Sequence, residues 1–579
     1  MDPATARTNL VAAFIAACLG LAPMAFGGDV VKDLQRAAVA EKDRAMPRAF
    51  HFGSQGAGGV FSNHRSHTNR LIPFYTFGRK LDPGAVTGKN SRYRTEEGVK
   101  SLFGRVPDHT VNPEAEYADQ SDLYSVQRRA VDACLKHLFI LWFDGMDWET
   151  TRAAAIAKSG KVYDTGKGSG LLFQDFDAAG SAKFGAFVTS PTFDRNNPDL
   201  DHQTIAIDPR ALGGGYDPRF GGPDPWTPGP LLAKGPGYLK GQSASKEERA
   251  AVEAAGGVLH AYTDSAPSAG EFATGVKSYN NGINVTDDGR FIPTLFNQLQ
   301  ARGWKVGTVT SVPFDHASPA AFYAHNVNRN DFQDLARDML GLRSIAQETG
   351  KDASHPGLDV VLGAGVDQKG EIEVMKRTQG SNAEAGNVYI VDDTLRAIDA
   401  RNGGNYVVVQ TEAGVDGGRA LRRAADRAVR DRRRLFGLFG PLDPPPQSQV
   451  DSHLPYRTAD GRYDPVEGIS GKAESYTAAD RNENPTLADM TEAALTVLSA
   501  SPDDRFALFV EAGDVDFALH DNNLDNAVGA VLSGEEALGV IFDWIERHGN
   551  WDDSAVIVAA DHGHYLLLDE PSALAGPSR

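Results

Sequence analysis

Asp516 and His520 stand one helical turn apart, so a helix across them puts an acid and an imidazole on one face. Two such groups can chelate one zinc ion, although an ordinary exposed i,i+4 pair has the same spacing. Asp561 and His562 directly follow the apolar run Ala555–Ala560, and Asp144 follows the apolar run Leu138–Phe143. Ligands of open α/β sheets gather beyond the carboxyl ends of strands. An Asp-Gly pair after a strand also makes a plain turn. Ser265 lies between Asp264 and a run of small residues that reads as a helix up to Val276. A serine there has its oxygen near unpaired backbone N–H groups, which suits an anion and equally suits a simple helix cap.

The elements that must hold these groups read as alternating strands and helices. Continuous apolar runs at Leu138–Phe143, Phe506–Val510 and Ala555–Ala560 suggest strands covered on both faces of a parallel sheet. Further strands are expected at Leu71–Phe77, Lys305–Thr310 and Asp359–Gly365. Helices are expected over residues 29–45, from Asp122 to Lys136 and from Leu487 to Ser499. Residues 160–245 are rich in Gly and Pro and read as a surface insertion that shapes substrate access. Residues 437–484 read as an irregular peripheral region.

The chain has 579 residues and a formal charge of −19 with pI near 5.3, which argues against general nucleic-acid binding. The basic run Arg419–Arg434 is interleaved with Ala and Leu and reads as a solvated helix face. Met1–Gly28 reads as an export signal: Arg7 precedes an apolar run too short to span a bilayer, and small residues Ala25 and Gly27 flank a cleavage point. Ile15-Ala16-Ala17-Cys18 also looks like a lipoprotein cleavage box, with lipid anchoring at Cys18 as the second reading. No other run is long enough for a transmembrane span. Cys18 and Cys134 are the only cysteines, so removal of the signal leaves no disulfide and makes metals the available cross-links.

The segment from Asp264 to Asn280 resembles the active-site segment of alkaline phosphatases, in which Asp-Ser-Ala opens a helix and Thr-Gly-Val-Lys-x-Tyr-Asn closes it. Ser265 matches the family's phosphorylated serine. Pro267 and Gly270 depart from the usual residues. Asp144 matches the family's metal-bridging Asp in its apolar-run-Asp-Gly-Met segment. His316-Ala317-Ser318 through Arg329 is similar to the animal-type enzymes: the position of Ser318 ligates magnesium, that of Arg329 grips phosphate, and His316 lies near the magnesium. Without that pattern Arg329 would read as a surface arginine. Glu511, Asp516 and His520 match a magnesium Glu, a zinc Asp and a zinc His in order and spacing, while Phe517 replaces the usual Lys or His. Asp561 and His562 match the ligands of the zinc that binds the nucleophile.

The family carries one further zinc histidine downstream, and only residues 563–579 remain here, so either the first zinc is short of a ligand, the chain is truncated, or the ligand comes from elsewhere, the reading favoured here. His564 matches a non-ligand histidine. The missing pieces stand near the front: His67, then the Leu71–Phe77 strand, then Asp119-Gln120-Ser121-Asp122 opening a helix. This is the family's C-terminal end placed first, so the resemblance implies a circular permutation in which His67 completes the first zinc site. His67 is otherwise one of three loop histidines, with His51 and His64. The implied organisation is a signal peptide at 1–28, a permuted segment at 29–145, a Gly/Pro-rich insertion at 146–260, and the rest of the core at 261–579 with a peripheral region at about 400–485. The implied fold is α/β, an alkaline-phosphatase-like sandwich with a large, mostly parallel central sheet and helices on both faces.

The implied chemistry is hydrolysis of phosphate monoesters through a phosphoserine at Ser265, with two zinc ions and one magnesium. One zinc is held by Asp144, Asp561 and His562, the other by His67, Asp516 and His520, and magnesium by Asp144, Ser318 and Glu511. Arg329 bridges two phosphate oxygens with its planar fork. The expected partners are small phosphate esters, and family members are often homodimers. Export places the protein in the periplasm or outside the cell. A phosphodiesterase on the same scaffold is the alternative. A sulfatase fits Ser265 and Pro267, but Ala269 stands where that motif needs Arg.

Overall fold

Seven consecutive residues, His137–Phe143, are all buried and form a strand in the interior of a ten-stranded sheet. A strand covered on both faces has no solvent side to keep polar, which explains its unbroken apolar run. The computed structural model describes residues 30–40, 49–52, 67–218 apart from 69, 260–366, 378–440 and 484–576. The export signal and lipoprotein box lie outside these residues, as do His64 and most of the 437–484 region. Among the described residues, no helix is long and apolar enough to cross a membrane.

In chain order the strands are β1 (Phe50–Phe52), β2 (Ile72–Phe77), β3 (Ala118–Asp119), β4 (His137–Phe143), β5 (Lys183–Val188), β6 (Asn196–Asp199), β7 (Thr204–Ile207), β8 (Lys305–Pro313), β9 (Val360–Ala364), β10 (Tyr406–Gln410), β11 (Arg434–Phe439), β12 (Phe506–Ala512), β13 (Ser554–Ala559) and β14 (Leu566–Leu568). The main sheet runs β10-β11-β9-β8-β12-β4-β13-β2-β5-β3. From β10 to β13 every neighbouring pair is parallel. β2 then pairs antiparallel with both β13 and β5. β1 and β14 form a separate two-stranded ribbon, as do β6 and β7.

This topology places the chemistry at one edge. The loops leaving the parallel strands gather at the strands' carboxyl ends. An antiparallel strand enters where its parallel neighbours leave, so the residues before β2 arrive at that same edge. The antiparallel pairing of β2 with β13 recurs beyond the strands as a bridge between Thr68 and Gly563, whose backbone bond is 2.9 Å long. His67 is thereby set beside His562 and His564.

The expected helices form at Asp122–Asp132 and Leu487–Leu498, each ending short of its expected last residue, and Val30–Ala40 is helical within the stretch expected over 29–45, whose other residues lie outside those described. The Gly417–Arg430 helix buries Leu421, Ala424, Ala425 and Ala428 and turns most of its arginines outward, in line with a solvated basic face. One expectation differs. Residues 183–188, inside the stretch read as a surface insertion, form β5 of the main sheet and bury Ala186, Phe187 and Val188. Glycine and proline in the flanking loops masked a strand whose burial comes from its partners β2 and β3. The small hairpin β6–β7 also lies in that stretch.

Candidate active site

The helix Ser265–Thr274 begins at the sheet's carboxyl edge. Its cap is Asp264, whose Oδ1 accepts the backbone N–H of Ala266 at 2.7 Å. Ser265 is therefore the first helical residue and is freed from the capping role. Pro267 occupies the first turn, where no intrahelical N–H is required, so this departure leaves the helix intact. Gly270 packs against Asn284, whose Oδ1 would lie 3.0 Å from an added Cβ, so a larger residue there would press on the neighbouring loop.

The Ser265 hydroxyl is buried between two metal-type donors. Its Oγ lies 3.3 Å from His562 Nε2 and donates at 3.5 Å to Asp144 Oδ1. Asp144 Oδ2 accepts from the Ser318 hydroxyl at 3.3 Å. His562 Nε2 is also 3.6 Å from Asp144 Oδ1, 3.4 Å from Asp561 Oδ2 and 3.9 Å from Asp516 Oδ1. Asp516 Oδ1 is a hub: His564 Nε2 is 2.6 Å away, His520 Nε2 3.4 Å and His67 Nε2 4.0 Å. The ring of His67 stacks on that of His562 with centroids 3.7 Å apart. Glu511 is buried and accepts a bond from Thr310, its register partner across β8 and β12.

The tautomer of His67 is fixed from outside the cluster. Its Nδ1 donates to the Thr263 carbonyl at 2.8 Å, which leaves Nε2 with a free lone pair toward His520 and Asp516. Arg329 stands at the rim, Nη1 donating to Asp264 Oδ1 at 3.2 Å. Asp264 thus links the helix start to the guanidinium. Phe517 lies outside this polar set, its ring 5.6 Å from that of His316.

The electrostatics favour cations. Burial, then the nearby Asp561, Asp516 and Glu511, drives the Asp144 carboxyl well above the usual range. Burial pushes Glu511 up to about 8 and Asp561 up to about 6. Burial also lowers His67 to about 4 and His520 to about 3, with neighbouring imidazoles acting the same way. His562 is lowered well below its ordinary value, again chiefly by burial. Neutral imidazoles among crowded carboxylates are what divalent cations require of their ligands. One group of possible donors is His67, Asp516, His520 and His564, and a second is Asp144, Asp516 and His562. Asp561 Oδ2 is buried without a hydrogen bond, consistent with a donor aimed at an ion. The residues present fit zinc at the imidazole-rich positions and magnesium at the oxygen donors Asp144, Ser318 and Glu511.

Sequence reasoning did not single out three participants. His564 approaches Asp516 more closely than any other histidine, yet its motif position gave it no ligand role. Thr310 is set against Glu511 only by strand register. Asp264 was visible as a cap, while its hold on Arg329 depends on a loop meeting a helix start.

A buried constellation of carboxylates and imidazoles at the edge of a mostly parallel α/β sheet closes on one serine, and its donor groups are of the kind that could hold divalent cations. The sequence profile of the alkaline phosphatase family matches residues 248–573. The chain belongs to the alkaline phosphatase family. Among curated relatives, it is 27% identical to the alkaline phosphatase of Escherichia coli K12 over 320 residues, covering 54% of this chain and 60% of that one. It is 29% identical to the streptomycin-6-phosphate phosphatase of Streptomyces griseus over 326 residues, covering 52% and 61%. Alkaline phosphatase H of Pseudomonas aeruginosa is 30% identical over 322 residues, covering 54% and 60%. The chain thus spans about 60% of the length of these relatives. The solved cold-active alkaline phosphatase of a Shewanella species is 19% identical, with a TM-score of 0.39 over 74% of this chain and 68% of that one.

Proposed function

We propose that this chain hydrolyses phosphate monoesters by two successive displacements at phosphorus, with Ser265 as the nucleophile. The observation that carries this reading is the Ser265 hydroxyl, buried at a helix start between His562 and Asp144. Two zinc ions, one among Asp144, Asp561 and His562 and one among His67, Asp516 and His520, with magnesium among Asp144, Ser318 and Glu511, would supply activation of the hydroxyl and neutralise charge on the leaving oxygen.

Ser265 Oγ attacks phosphorus, the ester oxygen departs and leaves as the alcohol, and the phosphoryl group is carried on the serine. Water then attacks the phosphoserine, restoring the hydroxyl and releasing inorganic phosphate. Two inversions give net retention at phosphorus. Arg329 presents its planar fork to two phosphate oxygens, and Asp264 holds that fork in place. The backbone N–H groups at the start of the Ser265–Thr274 helix add positive potential on the same side.

The same reading includes a circular permutation, with His67 and β2 supplied by the front of the chain. Its support is that the family profile begins at residue 248, whereas β4 and β2 flank β13 in the sheet. Residues 1–28 would direct export.

Acid quenching during turnover of an aryl phosphate monoester, followed by peptide mapping, tests the proposal. Phosphate is expected on Ser265. Ser265→Ala should lose the label and lower turnover by roughly 10³-fold or more while retaining its metal content. Phosphate trapped on another residue would refute the assignment.

A further inference from the structure

We propose a second kind of divalent-cation site, formed by His325, Asp352 and His355, in which a zinc-like ion ties the loop before β9 to the segment leading to Arg329. None of these residues belongs to the cluster around Ser265, and the inference does not depend on the reaction proposed above.

One ring nitrogen from each histidine and a carboxylate oxygen of Asp352 all lie within 4.8 Å of one another. His325 Nδ1 is 2.9 Å from Asp352 Oδ2, and His355 Nε2 is 3.4 Å from Asp352 Oδ1. Donor atoms sharing one tetrahedral zinc at about 2.0–2.1 Å stand roughly 3.3 Å apart, a spacing these two contacts bracket. His325 and Asp352 have side chains only 1% and 5% exposed. His325 Nδ1, Asp352 Oδ2 and His355 Nε2 are all buried and make no hydrogen bond of acceptable geometry.

The tautomer of His325 sharpens the point. Its Nε2 is 2.8 Å from the Ile292 carbonyl oxygen, which can only accept, so Nε2 carries the hydrogen. In the neutral ring Nδ1 then holds a lone pair, turned toward a carboxylate in a buried place. At 2.9 Å these two groups need a cation between them, either a proton, which Asp352 draws onto the His325 ring against the effect of burial, or a metal ion. A proton on Nδ1 would serve an aligned N–H···O bond, and that alignment is missing. A metal ion lies off the line between the two donors and draws on both, while the carbonyl fixes the ring from its other side, as is usual for metal-bound histidine.

The surroundings agree. The Asp338 carboxyl accepts the backbone N–H of His325 at 3.0 Å and lies 3.9 Å from its Nδ1, and burial together with Asp352 pushes it up to about 7, the crowding of acids that a cation would relieve. The imidazoles of His325 and His355 lie face to face, with centroids 5.5 Å apart. Two imidazoles and one carboxylate match the donor preference of zinc, with a position left for water. His325 precedes Arg329 by four residues, while Asp352 and His355 follow the helix Ile345–Glu348 and lead toward β9. Cys134 is a free thiol, so an ion here would act as a cross-link where the chain has no disulfide between described residues.

The test uses the full-length protein, stripped of metal and titrated with zinc alone. His355→Gln should bind one zinc per chain fewer than wild type and lose part of the rise in melting temperature that zinc produces, while phosphatase turnover at saturating zinc stays within about twofold. Zinc-edge anomalous diffraction from wild-type crystals should show a peak bonded to His325 Nδ1, Asp352 and His355 Nε2. Absence of that peak at saturating zinc, or an unchanged zinc count in His355→Gln, would overturn the proposal. Should the variant fail to fold, the wild-type diffraction decides alone.

Discussion

Nε2 of His67 and Nε2 of His520 lie 3.3 Å apart, although 453 positions separate them in the chain. The Nδ1–H of His67 is committed to the Thr263 carbonyl, so the nitrogen facing His520 carries a lone pair. Both rings are held neutral, His67 lowered to about 4 and His520 to about 3, chiefly by burial. Nitrogens brought this close in a buried place, beside Asp516, form a site that a cation stabilises and that its removal would strain. Zinc removal should therefore lower the melting temperature of the protein, and re-addition of zinc should restore it.

Gly145 should resist substitution. Its φ of +73° is in the left-handed region, and an added Cβ would meet the His564 ring at 2.8 Å and the Asp516 Cα at 3.2 Å. Gly145→Ala is expected to cost about 1–3 kcal/mol through backbone strain and crowding. It should also lower zinc content, because the crowded atoms belong to the Asp516 hub. Urea unfolding and metal analysis of the variant check this.

Asp264 has two tasks that a pair of substitutions can separate. Asp264→Ala removes both the helix cap and the anchor for Arg329, so stability should fall by about 0.5–2 kcal/mol and KM for a monoester should rise. Asp264→Asn keeps a capping oxygen but removes the charge that holds the guanidinium. It should lose less stability than Asp264→Ala, although the Asn281 N–H, 2.7 Å from Oδ2, loses its acceptor in both, while still raising KM. A wild-type KM in Asp264→Asn would show that the cap alone matters.

A buried triad away from the site predicts a pH dependence. Lys277 Nζ lies 2.8 Å from Asp119 Oδ2 and 3.0 Å from Glu271 Oε2, so one cation faces two carboxyl groups. Burial pushes Glu271 up to about 8 from an ordinary 4.5, against the opposing pull of Lys277. A raised native pKa means that its contribution is complete below pH 4.5 and is lost as pH rises toward 8. In metal-saturated protein, Glu271→Gln should flatten the decline in melting temperature between about pH 5 and 8. Parallel curves for the two proteins would show that Glu271 does not titrate in that window.

The parts of this molecule governed by local pattern were legible before any coordinates. The runs that became β4, β12 and β13 are apolar because both faces are covered, and Asp516 and His520 share a helix face because of their spacing. Thr310 was not legible, since its meeting with Glu511 is a matter of register between strands far apart in sequence. His564 was hidden for a similar reason: its ring is aimed at Asp516 by the turn after β13. β5 was read as insertion because its neighbours are loop-forming residues, while its burial is supplied by β2 and β3. His67 came to attention only through the order of the pieces around it, and its placement depends on β2 running antiparallel to β13.

The claim at the centre is that the front of the chain supplies one ligand to a zinc site otherwise built by its back. Zinc content and monoester turnover of His67→Ala, measured beside wild type in protein shown to be folded, test it most directly. The account predicts a loss of about one zinc per chain and a large fall in turnover. Unchanged zinc and unchanged turnover would contradict it.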